Sequence, residues 1–156
     1  MLKGMKTPAL VVAGLLAGVV FAGAAFAGEC PADKKMANAR EPVKVDAVGV
    51  TDTVLAMLPL ADEGPMLKDR KMRVRKLTIE SGGIVPWHSH ADRPALIYVV
   101  AGEITEYAST CAIPLVHKAG EVSVDAGRSH WWKNTGKKPV VLISSDILHD
   151  PNDVNM

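Results

Sequence analysis

Two histidines one residue apart, His88 and His90, are the residues of this chain best placed to do chemistry. They lie in the run Gly83-Ile84-Val85-Pro86-Trp87-His88-Ser89-His90. On an extended strand, residues two apart point to the same face, so both imidazoles can reach one ion or one substrate. Neutral imidazole is a good ligand for Fe, Mn, Zn, Ni or Cu, and the pair does not distinguish among them. A His-x-His pair alone also describes surface or satisfied core histidines at a strand end. The three tryptophans, Trp87, Trp131 and Trp132, all fall within two residues of a histidine.

The elements that must position these rings read as strands. Val43 to Val50, Thr53 to Leu60 and Lys71 to Ile79 are β-branched or alternating runs, with a loop over Ala61 to Asp69. After the turn residues Ser81-Gly82-Gly83 come Ile84 to His90, Pro94 to Ala101, Ile104 to Tyr107, Ile113 to His117, Glu121 to Val124, Ser129 to Asn134 and Pro139 to Ile147. Short strands with turn signals every eight to twelve residues predict a sandwich or barrel. No helix of more than a turn or two and no internal repeat is visible.

The N-terminus bounds the compartment. A basic start (Lys3, Lys6), an uncharged run from Pro8 to Phe26 and a small-x-small site at Ala25-Phe26-Ala27 describe a secretory signal peptide over residues 1–27. An uncleaved membrane anchor is the alternative, which the many Gly and Ala residues and the cleavage site disfavour. The expectation is an exported protein, periplasmic or secreted, with no stable membrane anchor after cleavage. Removing 27 residues from the 156 leaves 129, enough for one domain. Lys3 and Lys6 leave with the signal, so 16 basic residues face 17 acidic ones and no basic field invites nucleic acid. Residues 28–42 read as an N-terminal arm, 43–148 as the barrel and 149–156 as a polar tail. Export also puts Cys30 and Cys111 where disulfides persist. If they pair, the bridge ties the arm to the barrel; the alternative is two free thiols in a loose tail and a hairpin tip.

The spacings around the histidines resemble those of a known family. Gly82, five residues, His88-Ser89-His90, four residues, Ala95, six residues and Gly102 looks like the first motif of the cupin family. Gly120, four residues, Asp125-Ala126-Gly127, two residues, His130, three residues and Asn134 resembles the second. It is one residue shorter before the turn and has Asp125 where proline is usual. The family pattern has Glu where this chain has Ala95. The resemblance implies an all-β fold, a single jelly-roll β-barrel, with His88, His90 and His130 converging on one divalent transition metal. It also implies that Asn134 holds the following turn and that Gly82, Gly102, Gly120 and Gly127 sit at strand reversals needing positive φ.

The departure at Ala95 leaves three neutral ligands around a dication. Such a centre keeps positions open for water, an anionic substrate or dioxygen, as catalytic sites do. Some cupin-type dioxygenases work with three histidines, so the resemblance implies oxygenase-type or Lewis-acid chemistry on a small organic molecule. A non-catalytic binding or sensing module and a metal-free, isomerase-like barrel are the alternatives. Asp92 shares the parity of His88 and His90 and is either a substitute ligand or a rim acid. Trp132 shares the parity of His130 and is expected to wall the pocket, beside Ala95; Trp87 and Trp131 fall on the other face. Arg93 is expected near the mouth, and His117 and His149 fit neither motif. No catalytic residue is assigned. Ser144-Ser145-Asp146 lacks a hydrolase's glycine-framed nucleophile turn, and no phosphate-cradling loop or close cysteine pair competes. The expected partners are a small-molecule ligand or substrate and, from the family, a second copy in a homodimer.

Overall fold

The computed structural model describes residues 28–149. The expected signal peptide over 1–27 and the tail beyond His149 lie outside the described residues. Eight strands follow in order: β1 (Val48–Pro59), β2 (Lys71–Ser89), β3 (Ala95–Ala101), β4 (Glu103–Ala108), β5 (Leu115–Lys118), β6 (Val122–Asp125), β7 (Ser129–Lys133) and β8 (Val140–Leu148). They form one antiparallel sheet ordered β5-β4-β7-β2-β8-β3-β6, with β1 added beside β2. This nearly closed, barrel-like sheet is consistent with the expected jelly roll. Single 3-10 turns at Ala32–Lys34, Ala61–Glu63 and Pro65–Leu67 are the only helical segments among the described residues.

Alternation drives the curl. Along β8 every second residue is buried, and Leu77, Ile79, Val85, Ile97, Val99, Ile104, Trp132, Val140 and Leu142 meet in one core cluster with Ala95. Each large aliphatic side chain buried this way stabilises the fold by about 1.5–3 kcal/mol. On the outside, Leu96 and Tyr98 of β3 stand opposite Val124 and Val122 of β6, and all four are exposed.

Two expectations need correction. Val43 to Val50 and Thr53 to Leu60 are not two strands: residues 41–47 are unpaired and one strand runs from Val48 to Pro59. Gly49, at φ +59°, accompanies a register shift between Val48 and Val50, a bulge in this strand. Nor does the chain turn at Ser81-Gly82-Gly83. The strand β2 continues through it, pairing with β8 over Lys71 to Ile79 and with β7 from Ile84 onward. Gly82, at φ +77°, bends the strand from one partner to the other. Asn134 clamps this corner: its Nδ2 donates to the carbonyls of Ile79 (3.0 Å), Glu80 (3.1 Å) and Lys138 (2.8 Å), while its Oδ1 accepts from Gly136 N (2.9 Å). The alternating run from Lys71 divides its apolar residues between the two faces, and the inward face also carries two arginines. Arg73 and Arg75 are buried with Leu77 and Ile79, while Met72 is exposed.

The N-terminal arm is fastened to the tip of the β4–β5 hairpin. Cys30 and Cys111 form a disulfide, both residues being buried. Backbone bonds from Met36 N to Thr110 O (3.2 Å), Ala39 N to Ser109 O (2.8 Å) and Ala112 N to Lys34 O (3.0 Å) extend the attachment. The sulfurs link positions 81 residues apart. In the chain-entropy model a loop of that length is worth ~4 kcal/mol. Replacing both cysteines by alanine is therefore expected to lower unfolding free energy by roughly that amount in urea titrations. Limited proteolysis of the variant should cut first within residues 28–42; an unchanged midpoint and cleavage pattern would contradict this.

Candidate metal centre

His88 lies near the end of β2, His130 on β7, and the two are direct cross-strand partners. Between Val85 and His88 the register shifts by one residue, so both face inward although three apart. His90 lies beyond the strand. Its backbone is held by the turn before β7: His90 N donates to Arg128 O (2.7 Å) and Gly127 N donates to His90 O (3.0 Å). The His-x-His pair thus converges through a strand end and a pinned loop residue rather than by strand alternation alone.

The three rings meet at their Nε2 atoms, with separations of 3.0 Å (His88 to His90), 3.1 Å (His90 to His130) and 3.1 Å (His88 to His130). The Nδ1 atoms decide what these contacts are. His88 Nδ1 is 2.8 Å from Pro86 O, His90 Nδ1 is 2.7 Å from Arg93 O and His130 Nδ1 is 2.7 Å from Glu106 Oε1. Carbonyl and carboxylate oxygens only accept, so each Nδ1 carries the proton and donates it. In the neutral rings each Nε2 is then a bare lone pair. Three converging lone pairs at this spacing repel unless a cation lies among them, and the three residues form a group that could hold a metal ion. The donor set suits a borderline transition metal.

Electrostatics keeps the rings neutral. Burial, followed by the neighbouring His130, pushes His88 down to about 2; burial and His130 likewise push His90 down to about 4. Glu106 is fully buried. Burial alone would raise its pKa, but hydrogen bonds from His117 and His130 hold it below the usual carboxylate range. His117 Nε2 sits 2.8 Å from Glu106 Oε2, and the Arg128 guanidinium lies 3.1 Å from Oε1. The carboxylate thus orients His130 from behind, as second-layer partners do at metal sites. Glu106, Asp125 and His130 form another acidic cluster. Arg128 already fills it, bonding Asp125 and approaching Glu106.

The other expected residues are placed as follows. Trp132 is buried, with its indole N–H 3.1 Å and 3.3 Å from the two ring nitrogens of His130, facing the ring rather than one lone pair. Trp131 lies on the opposite side, stacked on Tyr107 at 4.1 Å. Ala95 is buried in the core cluster. Asp92 does not join the triad: the strand has ended at Ser89, and the carboxylate is exposed, paired with Arg70 (2.9 Å) and with His149. Beside the triad is a small cavity walled by Leu77, Val85, Ile97, Trp132 and Leu142, with Arg75 and Ser144 as its polar residues besides His88 and His90. It offers about 20 Å³ to the centres of water-sized molecules, room for one small group rather than a ring. Sequence reasoning missed Glu106, Arg75 and Ser144. The parity of Glu106 with Ile104 and Ala108 was the available signal for the first.

Residues 75–146 match the family model described as a cupin domain. No curated protein matches the chain. Among solved structures, KdgF from Halomonas sp. aligns at TM-score 0.50 and 14% identity, over 72% of this chain and 94% of that one. The Schizosaccharomyces pombe Cnp3 cupin domain aligns at TM-score 0.50 and 17% identity, over 66% of this chain and 63% of that one. At such identities the likeness is one of fold.

The depressed histidines make metal-free protein acid-sensitive. The unfolded chain binds these protons near pH 6.5 and the folded one does not. Stability from His90 is therefore intact above about pH 6.5 and lost as pH falls toward about 4, with His88 acting over a window reaching about 2. His90 alone accounts for about 3 kcal/mol at pH 4. Urea midpoints of metal-free protein should fall steadily between pH 7 and pH 4, and midpoints flat over that range would refute the assignment.

Proposed function

Residues 75–146 of this chain are a cupin domain, and from that premise we propose an exported cupin that binds a divalent transition metal through His88, His90 and His130. The observation that carries the reading is the set of Nδ1 anchors, which leaves three Nε2 lone pairs 3.0–3.1 Å apart with no proton to share. A bound dication would supply Lewis acidity or redox capacity toward dioxygen for chemistry on a small organic molecule. The residues of the chain supply the rest. Glu106 and the two backbone carbonyls fix ring orientation, Trp132 and the aliphatic wall exclude water, and the absence of a carboxylate ligand keeps positions open. Export is supported by the Cys30–Cys111 disulfide, which belongs to an oxidising compartment.

The small cavity favours a second reading, a metal-binding or sensing module without turnover. Metal uptake with no oxygen consumption across diketones, thiols, phenols and organic acids would assign it. Activity that resists chelators would instead point to metal-free chemistry. A homodimer is supported by the exposed apolar stripe of Leu96, Tyr98, Val122 and Val124.

The purified protein is expected to take up close to one equivalent of Zn, Ni, Co or Fe per chain after reconstitution. Substituting His88→Ala or His130→Ala should reduce that occupancy at least tenfold by elemental analysis. Equal, negligible metal in the wild type and both variants would sink the proposal. Light scattering should give twice the chain mass, falling to a monomer for Leu96→Lys/Val124→Lys; a monomeric wild type removes the dimer.

A further inference from the structure

Two polar atoms on residues of the triad cavity are left without partners. Arg75 Nε and Ser144 Oγ are buried and make no hydrogen bond. The residues are 4% and 2% exposed, and they stand directly opposite one another on β2 and β8. The remaining arms of the Arg75 guanidinium are committed: Nη1 pairs with Asp52 and Nη2 lies 3.4 Å from Asp146. A buried N–H and a buried hydroxyl without partners both pay the cost of leaving water, so a ligand that satisfies both is favoured.

Charge decides the kind of ligand. Among the described residues no carboxylate lines this cavity. On its side of the cavity Arg75 presents a guanidinium N–H that neither Asp52 nor Asp146 takes up, because both acids meet its Nη atoms. Across the cavity, three neutral imidazoles would leave a bound dication's charge uncancelled. A low-dielectric space with cationic ground on both sides attracts an anion. Its size admits one small group.

We propose that Arg75 and Ser144 form a carboxylate-binding subsite facing the three-histidine group, so that the molecules this barrel takes are small organic acids. The carboxylate oxygens accept from Arg75 Nε–H and Ser144 Oγ–H, while the rest of the acid extends toward the metal. This rests on the metal reading above, and the test separates the two. Cobalt(II)-loaded protein is titrated with formate, with formamide as the uncharged match, and followed by the visible absorption of the ion. Wild type is expected to bind formate at least tenfold more tightly than formamide. Arg75→Gln should lose about tenfold or more in formate affinity and Ser144→Ala several-fold, with cobalt occupancy unchanged.

Formate binding equally well to both variants would overturn the subsite, since the anion would then be held by the metal alone. Equal affinity for formate and formamide would do the same. Arg75 also braces Asp146, so if Arg75→Gln does not fold, Ser144→Ala decides. Should wild type hold no cobalt, the metal reading fails by itself. The subsite is then read by thermal shift on metal-free protein: formate raising the midpoint above formamide in wild type but not in Ser144→Ala supports it, and no difference overturns it.

Discussion

Glu106 is an ionised carboxylate with no access to water, and much of the interior is arranged around that cost. Desolvating such a charge costs several kcal/mol unless its lone pairs are used. Here they are used by His117 Nε2 from β5 and by His130 Nδ1 and Arg128 from the start of β7. The arrangement that satisfies Glu106 also fixes a tautomer. With Nδ1–H committed to the carboxylate, His130 can present only a lone pair at Nε2, and the carbonyls of Pro86 and Arg93 impose the same on His88 and His90. The hydrogen-bond pattern therefore turns three lone pairs toward one point, a group that could hold a cation.

Backbone irregularities deliver the rings to that point. The strand β2 serves two neighbours, β8 with its first half and β7 with its second, and Gly82 and the Asn134 side chain hold the corner between them. The register shift at Pro86-Trp87 then turns His88 inward. Proline suits this place because it has no ladder N–H to lose, and its carbonyl is the one that anchors His88 Nδ1. The same feature that interrupts the ladder orients a ring.

Much of this was legible in the residues. Strand rhythm follows from alternation and turn chemistry, although ten runs read as strands where eight exist because β1 and β2 each absorb two of them, and two spaced motifs brought His130, forty residues away, to His88 and His90. Reading was poorest where one polar residue sat at an inward position. Arg73 and Arg75 share the inward parity of Leu77 and Ile79 while Met72 and Val74 take the other, so the apolar residues of this run do not by themselves name its buried face. The burial of the two arginines makes sense only with Asp146, 73 residues from Arg73, and local periodicity carries no information about a partner that distant. Of the two readings of Asp92, ligand and rim acid, parity supported the first only if the strand continued, and it ends at Ser89, leaving the carboxylate exposed.

The alanine at position 95 is better understood from its neighbours than from what it lacks. It pairs across the sheet with Asp125 on β6 and Asp146 on β8, and both carboxylates are buried. Direct cross-strand partners share a face, so a glutamate here would place a third carboxylate between two others. Asp125 is held by Arg128 and Asp146 by Arg73 and Arg75, so neither is free to yield. The negative charge near position 95 therefore lies on the flanking strands, each acid with its arginine. What remains beside the triad is a small space edged by Arg75, where the anion that balances the ion would have to come from the ligand itself.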